Sequence, residues 1–181
     1  MTDPLVVLIV ALALALLFVA GAAEKVLRFG AFREIVDHYQ LMPTPAAPFA
    51  AGILVIAEAA AALAALWAAF AAPALTLTLP AGLLLLYAAA MAINLMRGRS
   101  HIDCGCVGFG AARPSISWAL VLRNIALGAV ALGVALAPVS GRPLGAADLI
   151  SGIGALLALP LLYIAFEQFA AIRSQGSTAQ S

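Results

Sequence analysis

The stretch PFAAGILVIAEAAAALAALWAAFAAPALTLTLPAGLLLLYAAAMAINLM, residues 48–96, decides the fold class, because its only charge is Glu58. A helix rises about 1.5 Å per residue, so this run is far too long for one crossing of a hydrocarbon layer about 30 Å thick. Ala71-Ala-Pro73 is the natural place to turn, which predicts two spans, near 48–71 and 74–96. Pro80 falls early in the second and is expected to kink or shorten it.

Working outward, Pro4–Ala23 is another uncharged run of bilayer-spanning length. Asp3 and the absence of Lys or Arg before it argue against a secretory leader, so it reads as a retained first span. Residues 24–40 break the pattern with Glu24, Lys25, Arg28, Arg33, Glu34, Asp37 and His38. Val26, Leu27, Phe29, Phe32, Ile35, Val36 and Tyr39 are interleaved at near-helical spacing, which predicts an amphipathic helix at the interface. Two further spans are expected near 115–137 and 149–171, separated by the Pro- and Gly-rich turn 138–148. The sequence thus predicts an all-α, polytopic membrane bundle of about five spans forming one domain, 1–173, with a disordered Ser/Gln/Thr-rich tail over 174–181.

Composition agrees. The 181 residues are 65% hydrophobic and 9% charged, with mean hydropathy +1.12. A soluble domain is typically about a quarter charged, and this chain has too few polar residues to cover a surface in water. The net charge of +1, with no basic cluster, gives no sign of a nucleic-acid partner. The partner that composition does imply is the lipid bilayer.

Chemistry concentrates in the loop 97–114, where His101-Ile-Asp-Cys-Gly-Cys106 holds both cysteines of the chain. A disulfide needs Cα atoms about 4.4–6.8 Å apart, and two extended steps approach roughly 7 Å. Gly105 supplies the bend that would bring Cys104 and Cys106 together. So small a ring is strained and readily reduced, which suits exchange better than stapling. His101 and Asp103 are placed to tune a thiolate. Two other readings stand beside the redox pair: a Cu(I) or Zn site of His101, Cys104 and Cys106, one ligand short of a closed zinc site, and two inert thiols in a turn.

Ionisable groups inside spans are costly and mark functional positions. Glu58 lies roughly 15 Å into its span, Arg123 lies in the span after the loop, and Asn94 ends the span before it. All three fall in the half of the bundle nearest the cysteines. Glu58 and Arg123 are expected to pair, since each alone in hydrocarbon costs several kcal/mol; the alternative has Arg123 reaching the headgroups and Glu58 protonated. A carrier for metal ions or small molecules would need polar groups in both halves, and here they crowd into one.

Counting five crossings puts residues 24–47, the cysteine loop and the C-terminus on one side, with Lys25, Arg28, Arg33, Arg97, Arg99, Arg113 and Arg173, whereas Arg142 lies on the other. The positive-inside rule places the cysteine loop in the cytoplasm. A working disulfide is more expected in an oxidising compartment.

Gly21-Ala-Ala-Glu-Lys25, Phe32, Tyr39-Gln-Leu-Met-Pro43, Glu58, Asn94 with Arg97-Gly98, Asp103-Cys-Gly-Cys106, and Trp118 with Arg123-Asn124 resemble the methylamine utilisation protein MauE family over most of the chain. The resemblance implies a bacterial inner-membrane protein that supports maturation of methylamine dehydrogenase. It further implies that the family acts with a thioredoxin-like partner, MauD, in processing, export or disulfide formation of that enzyme's disulfide-rich small subunit. It also implies a periplasmic cysteine loop, with Cys104 and Cys106 as the exchanging pair and Glu58, Asn94, His101, Asp103, Gly105 and Arg123 supporting it. A non-catalytic scaffold that docks the partner or the subunit is the alternative. No cofactor motif is evident; a membrane quinone could serve as the electron partner, but no sequence feature marks a site for it.

Overall fold

Four long helices each carry a buried stripe at alternating three- and four-residue spacing, the pattern of helices packed side by side. The computed structural model describes residues 2–70, 73–105, 115–148, 150–158, 161, 162, 164 and 165. Cys106 and Arg113 lie outside these, as does the tail 174–181. Helix α1 is Pro4–Leu27, α2 Phe29–His38, α3 Ala47–Phe70, α4 Thr78–Met96 and α5 Trp118–Leu136. In α1 the stripe runs Val7, Ala11, Leu14, Phe18, Gly21 and Lys25. In α5 it runs Val121, Asn124, Gly128, Ala131 and Ala135.

The stripes are built mostly of Ala and Gly, so backbones approach closely and dispersion contacts replace the hydrophobic drive that lipid cannot supply. A Cβ on Gly128 would lie 3.1 Å from Leu85 Cδ2 and 3.4 Å from the Ala81 carbonyl oxygen, which fixes α5 tightly against α4. Contacts α1–α3, α3–α4, α4–α5 and α5–α1 close a four-helix ring. One core of small and aliphatic residues, from Val7 and Ala11 to Ala131 and Ala135, runs through all four. Outward, α3 exposes Ile53, Ile56, Leu63, Trp67 and Phe70, a face suited to acyl chains. These four helices, counting the short 3-10 turns that lead into α3 and α4, are each long and apolar enough to span a membrane.

The chain is therefore an all-α polytopic bundle, as expected, with three adjustments. The first span does not end at Ala23 but continues to Leu27, and the amphipathic helix is the shorter Phe29–His38. Pro80 does not kink α4, because the helix begins at Thr78 and Pro80 sits in its first turn, where the N–H that proline lacks has no intrahelical partner. A shorter apolar helix, Ala146–Ala158, follows α5; the expected span 149–171 runs on from it into residues outside those described.

The crossing count holds in three dimensions. Thr2 pairs with Val139 at one end, through Thr2 N–H to the Pro138 carbonyl at 2.8 Å and Ser140 N–H to the Thr2 carbonyl at 2.9 Å. At the other end, α2 meets the loop after α4: Arg99 donates to the His38 carbonyl at 2.8 Å and Arg97 to the Gln40 carbonyl at 3.3 Å. Cations at the carbonyl end of a helix are favourable, so these arginines hold α2 by its C-terminus.

Candidate functional site

Buried polar side chains among the described residues are Lys25, Glu58, Asn94 and Asn124. All lie in the half of the ring that α2 covers. Glu58 is 2% exposed, and its Oε1 accepts from Lys25 Nζ at 2.9 Å and from the Tyr87 hydroxyl at 2.7 Å. Lys25 Nζ also sits 5.2 Å from the Phe32 ring centroid and 5.9 Å from that of Tyr87, so the ammonium is enclosed by one carboxylate and two aromatic faces.

The expected Glu58–Arg123 pair is not formed. Helix α1 packs directly on α3 and delivers Lys25, whereas α5 sits across the ring from α3. Arg123 instead reaches Asn124 Oδ1 at 3.5 Å and lines the same cavity as Glu58. Lys25, Tyr87, Tyr39 and Asn124 are the site residues that the sequence reading missed. Lys25 was readable: it continues the α1 stripe one step beyond Gly21, but the charges around it read as an interface.

Asn94 is fully buried and organises the end of α4. Its side chain donates to the Ala90 carbonyl and accepts from Arg99, each at 3.2 Å, while its carbonyl receives the Arg99 N–H at 3.0 Å. Gly98, at φ +74°, makes the left-handed turn that stops the helix. The chain then returns across α2. Ile102 packs with Ile35, Tyr39, Met91, Ile116 and Leu120, and the Ile116 N–H closes the loop onto the Ile102 carbonyl at 2.8 Å.

Cys104 is half-buried against this cluster, and the Tyr39 hydroxyl donates to its carbonyl at 3.2 Å. Gly105 has φ +67°, and a Cβ there would meet Ile35 Cγ2 at 3.3 Å and Phe32 Cε2 at 3.6 Å. Glycine is thus needed twice over, for the bend and for the close approach to α2. His101 and Asp103 are exposed, and Asp103 bridges Ser115 through its backbone. Cys106, and with it any set of His101, Cys104 and Cys106, lies outside the described residues.

A cavity of about 120 Å³ joins these parts. Lys25, Glu58, Tyr87, Arg123 and Asn124 form its polar lining in the ring, Cys104 and Gly105 meet it from the loop, and Phe32 of α2 and Tyr39 just after α2 stand between. The second carboxylate oxygen of Glu58, Oε2, is buried without a hydrogen-bond partner among the described residues. Chemically, the arrangement sets a cysteine beside a largely apolar chamber that contains the buried Lys25–Glu58 ion pair and has Arg123 in its wall.

Fold and site together define a multi-pass α-helical membrane protein with a cysteine-bearing loop seated on its bundle. The family model "Methylamine utilisation protein MauE" matches residues 3–138, which include all four long helices and the loop. The chain is 40% identical over 159 residues to the methylamine utilization protein MauE of Paracoccus denitrificans, covering 86% of this chain and 84% of that protein. It is 36% identical over 166 residues to the MauE protein of Paracoccus versutus, covering 83% and 79%. With that of Methylophilus methylotrophus it shares 33% over 164 residues, covering 90% and 85%. The chain belongs to the MauE family, whose part is in methylamine utilisation. No solved structure matches it.

Proposed function

We propose that this protein is an inner-membrane component of methylamine dehydrogenase maturation, and that its Cys104–Cys106 pair exchanges disulfides with a thioredoxin-like partner of the MauD type. One cysteine forms the mixed disulfide and the other resolves it, so that oxidising equivalents reach the disulfides of the small subunit. The observation that carries the reading is the placement of Cys104, half-buried at a cavity that also contains the Lys25–Glu58 pair. A cysteine with only a packing role needs no buried ions beside it, and ions in a membrane interior are costly to keep.

The loop faces the periplasm in this proposal. The Lys/Arg count opposes this side, and the exchange role of the cysteine loop in an oxidising compartment supports it. Labelling intact cells with a membrane-impermeant maleimide, with and without reductant, tests both points: Cys104 is expected to label after reduction. Labelling only after lysis would place the loop inside and reject the proposed side. Replacing both cysteines with Ser is expected to abolish accumulation of the small subunit while this protein still reaches the membrane. Normal accumulation would favour a non-catalytic scaffold.

A further inference from the structure

We infer that the cavity between α1, α3 and α4 binds the ring of an isoprenoid quinone from the bilayer, and that this quinone accepts the electrons the cysteine pair releases. The inference rests on the thiol–disulfide reading and supplies its co-reactant. Oxidising two thiols to one disulfide releases two electrons and two protons. A quinone takes up both as its two carbonyl oxygens become the hydroxyls of the quinol, so the step balances with no other reagent.

Three features of the cavity select this class of ligand. First, its walls are apolar, from Leu17, Phe18, Leu54, Leu84 and Met91, which excludes a charged nucleotide cofactor and admits a membrane-soluble ring. Second, among its polar groups, which also include Tyr39, Tyr87, Arg123 and Asn124, Lys25 and Glu58 set a donor beside an acceptor. Lys25 has three N–H donors and gives one to Glu58 Oε1, while Glu58 Oε2 is buried without a partner among the described residues. A quinone carbonyl accepts from the ammonium, and a quinol hydroxyl donates to Oε2. The same pair therefore serves both redox states, and the ammonium offsets negative charge developing on the ring oxygen. An acyl chain would leave the carboxylate oxygen unpaired, at a cost of several kcal/mol in hydrocarbon. Third, Leu41 and Met42 are exposed apolar residues between α2 and α3 and also line the cavity. They give it an apolar mouth at the interface, through which a prenyl tail can leave.

The test uses the full chain in lipid nanodiscs, reduced and held without oxygen. Decylubiquinone is added, and loss of its ultraviolet absorbance is followed against loss of thiols. In parallel, the same protein is oxidised by glutathione disulfide, which needs no membrane site. The expected result is one quinone reduced per two thiols lost. The ratio of the quinone rate to the glutathione rate is expected to fall roughly tenfold or more in Met42→Trp, which fills the mouth at an exposed position, and in Glu58→Gln, which removes the carboxylate. Oxidation by glutathione disulfide without quinone reduction would overturn the inference and leave the exchange reading standing. Failure with both oxidants would overturn the exchange reading and the inference with it. Quinone reduction at an unchanged ratio in both variants would place the reaction outside this cavity and reject it.

Discussion

Lys25 and Glu58 each justify the other's presence in the membrane. The ion pair is 2.9 Å long with both side chains almost fully enclosed, so removing one partner strands a charge in hydrocarbon. Lys25→Met and Glu58→Leu alone are each expected to lower stability by about 3–5 kcal/mol. The double variant is expected to recover most of that loss, because two apolar side chains need no partner. Unfolding by steric trapping in bicelles measures it; additive losses would mean that the pair does not couple. Gly105 is the second position at which one atom matters. Gly105→Ala forces a left-handed alanine, costing about 1–2 kcal/mol, and presses a methyl toward Ile35 Cγ2. The expected result is faster hydrogen exchange at the Ile116 amide, which closes this loop, with the amides of α5 unchanged. Equal acceleration in both would show a global rather than a local effect.

At the scale of elements, α2 links the loop to the ring. Carbonyls at and just past its C-terminus are held by Arg99 and Arg97, its Phe32 faces Lys25, and Tyr39, which caps it, donates to the Cys104 carbonyl. Arg99→Ala removes the ligand of the His38 carbonyl and the bond to Asn94 together. It is expected to increase proteolytic cleavage near residues 38–42 and to speed thiol labelling of Cys104, without unfolding α1 or α3. Unchanged labelling would show that α2 is held by its apolar face alone. The packing of α4 on α5 makes an opposite demand. No anchoring side chain is needed there, only the absence of one at Gly128, where the nearest neighbours are Leu85 and the Ala81 backbone.

At the scale of the whole molecule, the end away from the cysteines is closed by a clasp of charges. Arg142 bonds Asp3 at 2.9 Å and Asp148 at 2.7 Å, while Asp3 caps α1 by accepting from the Leu5 N–H. The guanidinium, aided by the Gly145 N–H, holds Asp148 down at about 2 from its ordinary 3.8; Arg142 and the Leu5 N–H likewise lower Asp3. Since folding depresses these values, the clasp contributes fully above the ordinary carboxylate range, and its contribution is lost as pH falls through about 2. Arg142 and Asp3 are partly exposed and Asp148 less so, so salt weakens the clasp too. Spin labels at Thr2 and Val139 are expected to give one narrow distance distribution at neutral pH, and a broad one near the low-pH limit or in Arg142→Gln. A narrow distribution throughout would show that the backbone bridge holds this end unaided.

The sequence by itself determined the fold class, the turns and the half of the bundle where polar groups gather. Uncharged runs of bilayer length have no other stable home, and the proline- and glycine-rich breaks between them mark the turns. It also marked Glu58, Asn94, Arg123 and the cysteine loop, since an ionisable or amide group among Ala and Leu is conspicuous. What the tertiary structure decided was partnership. Glu58 meets Lys25 because α1, and not α5, packs on α3, and a sequence read one helix at a time does not contain that adjacency. Tyr39 and Tyr87, ordinary as isolated letters, became part of the site only when α2 folded over the ring and α4 turned its hydroxyl inward. Helix formation is local and written in composition, whereas a hydrogen bond between residues far apart in the chain exists only after the backbones have been brought together.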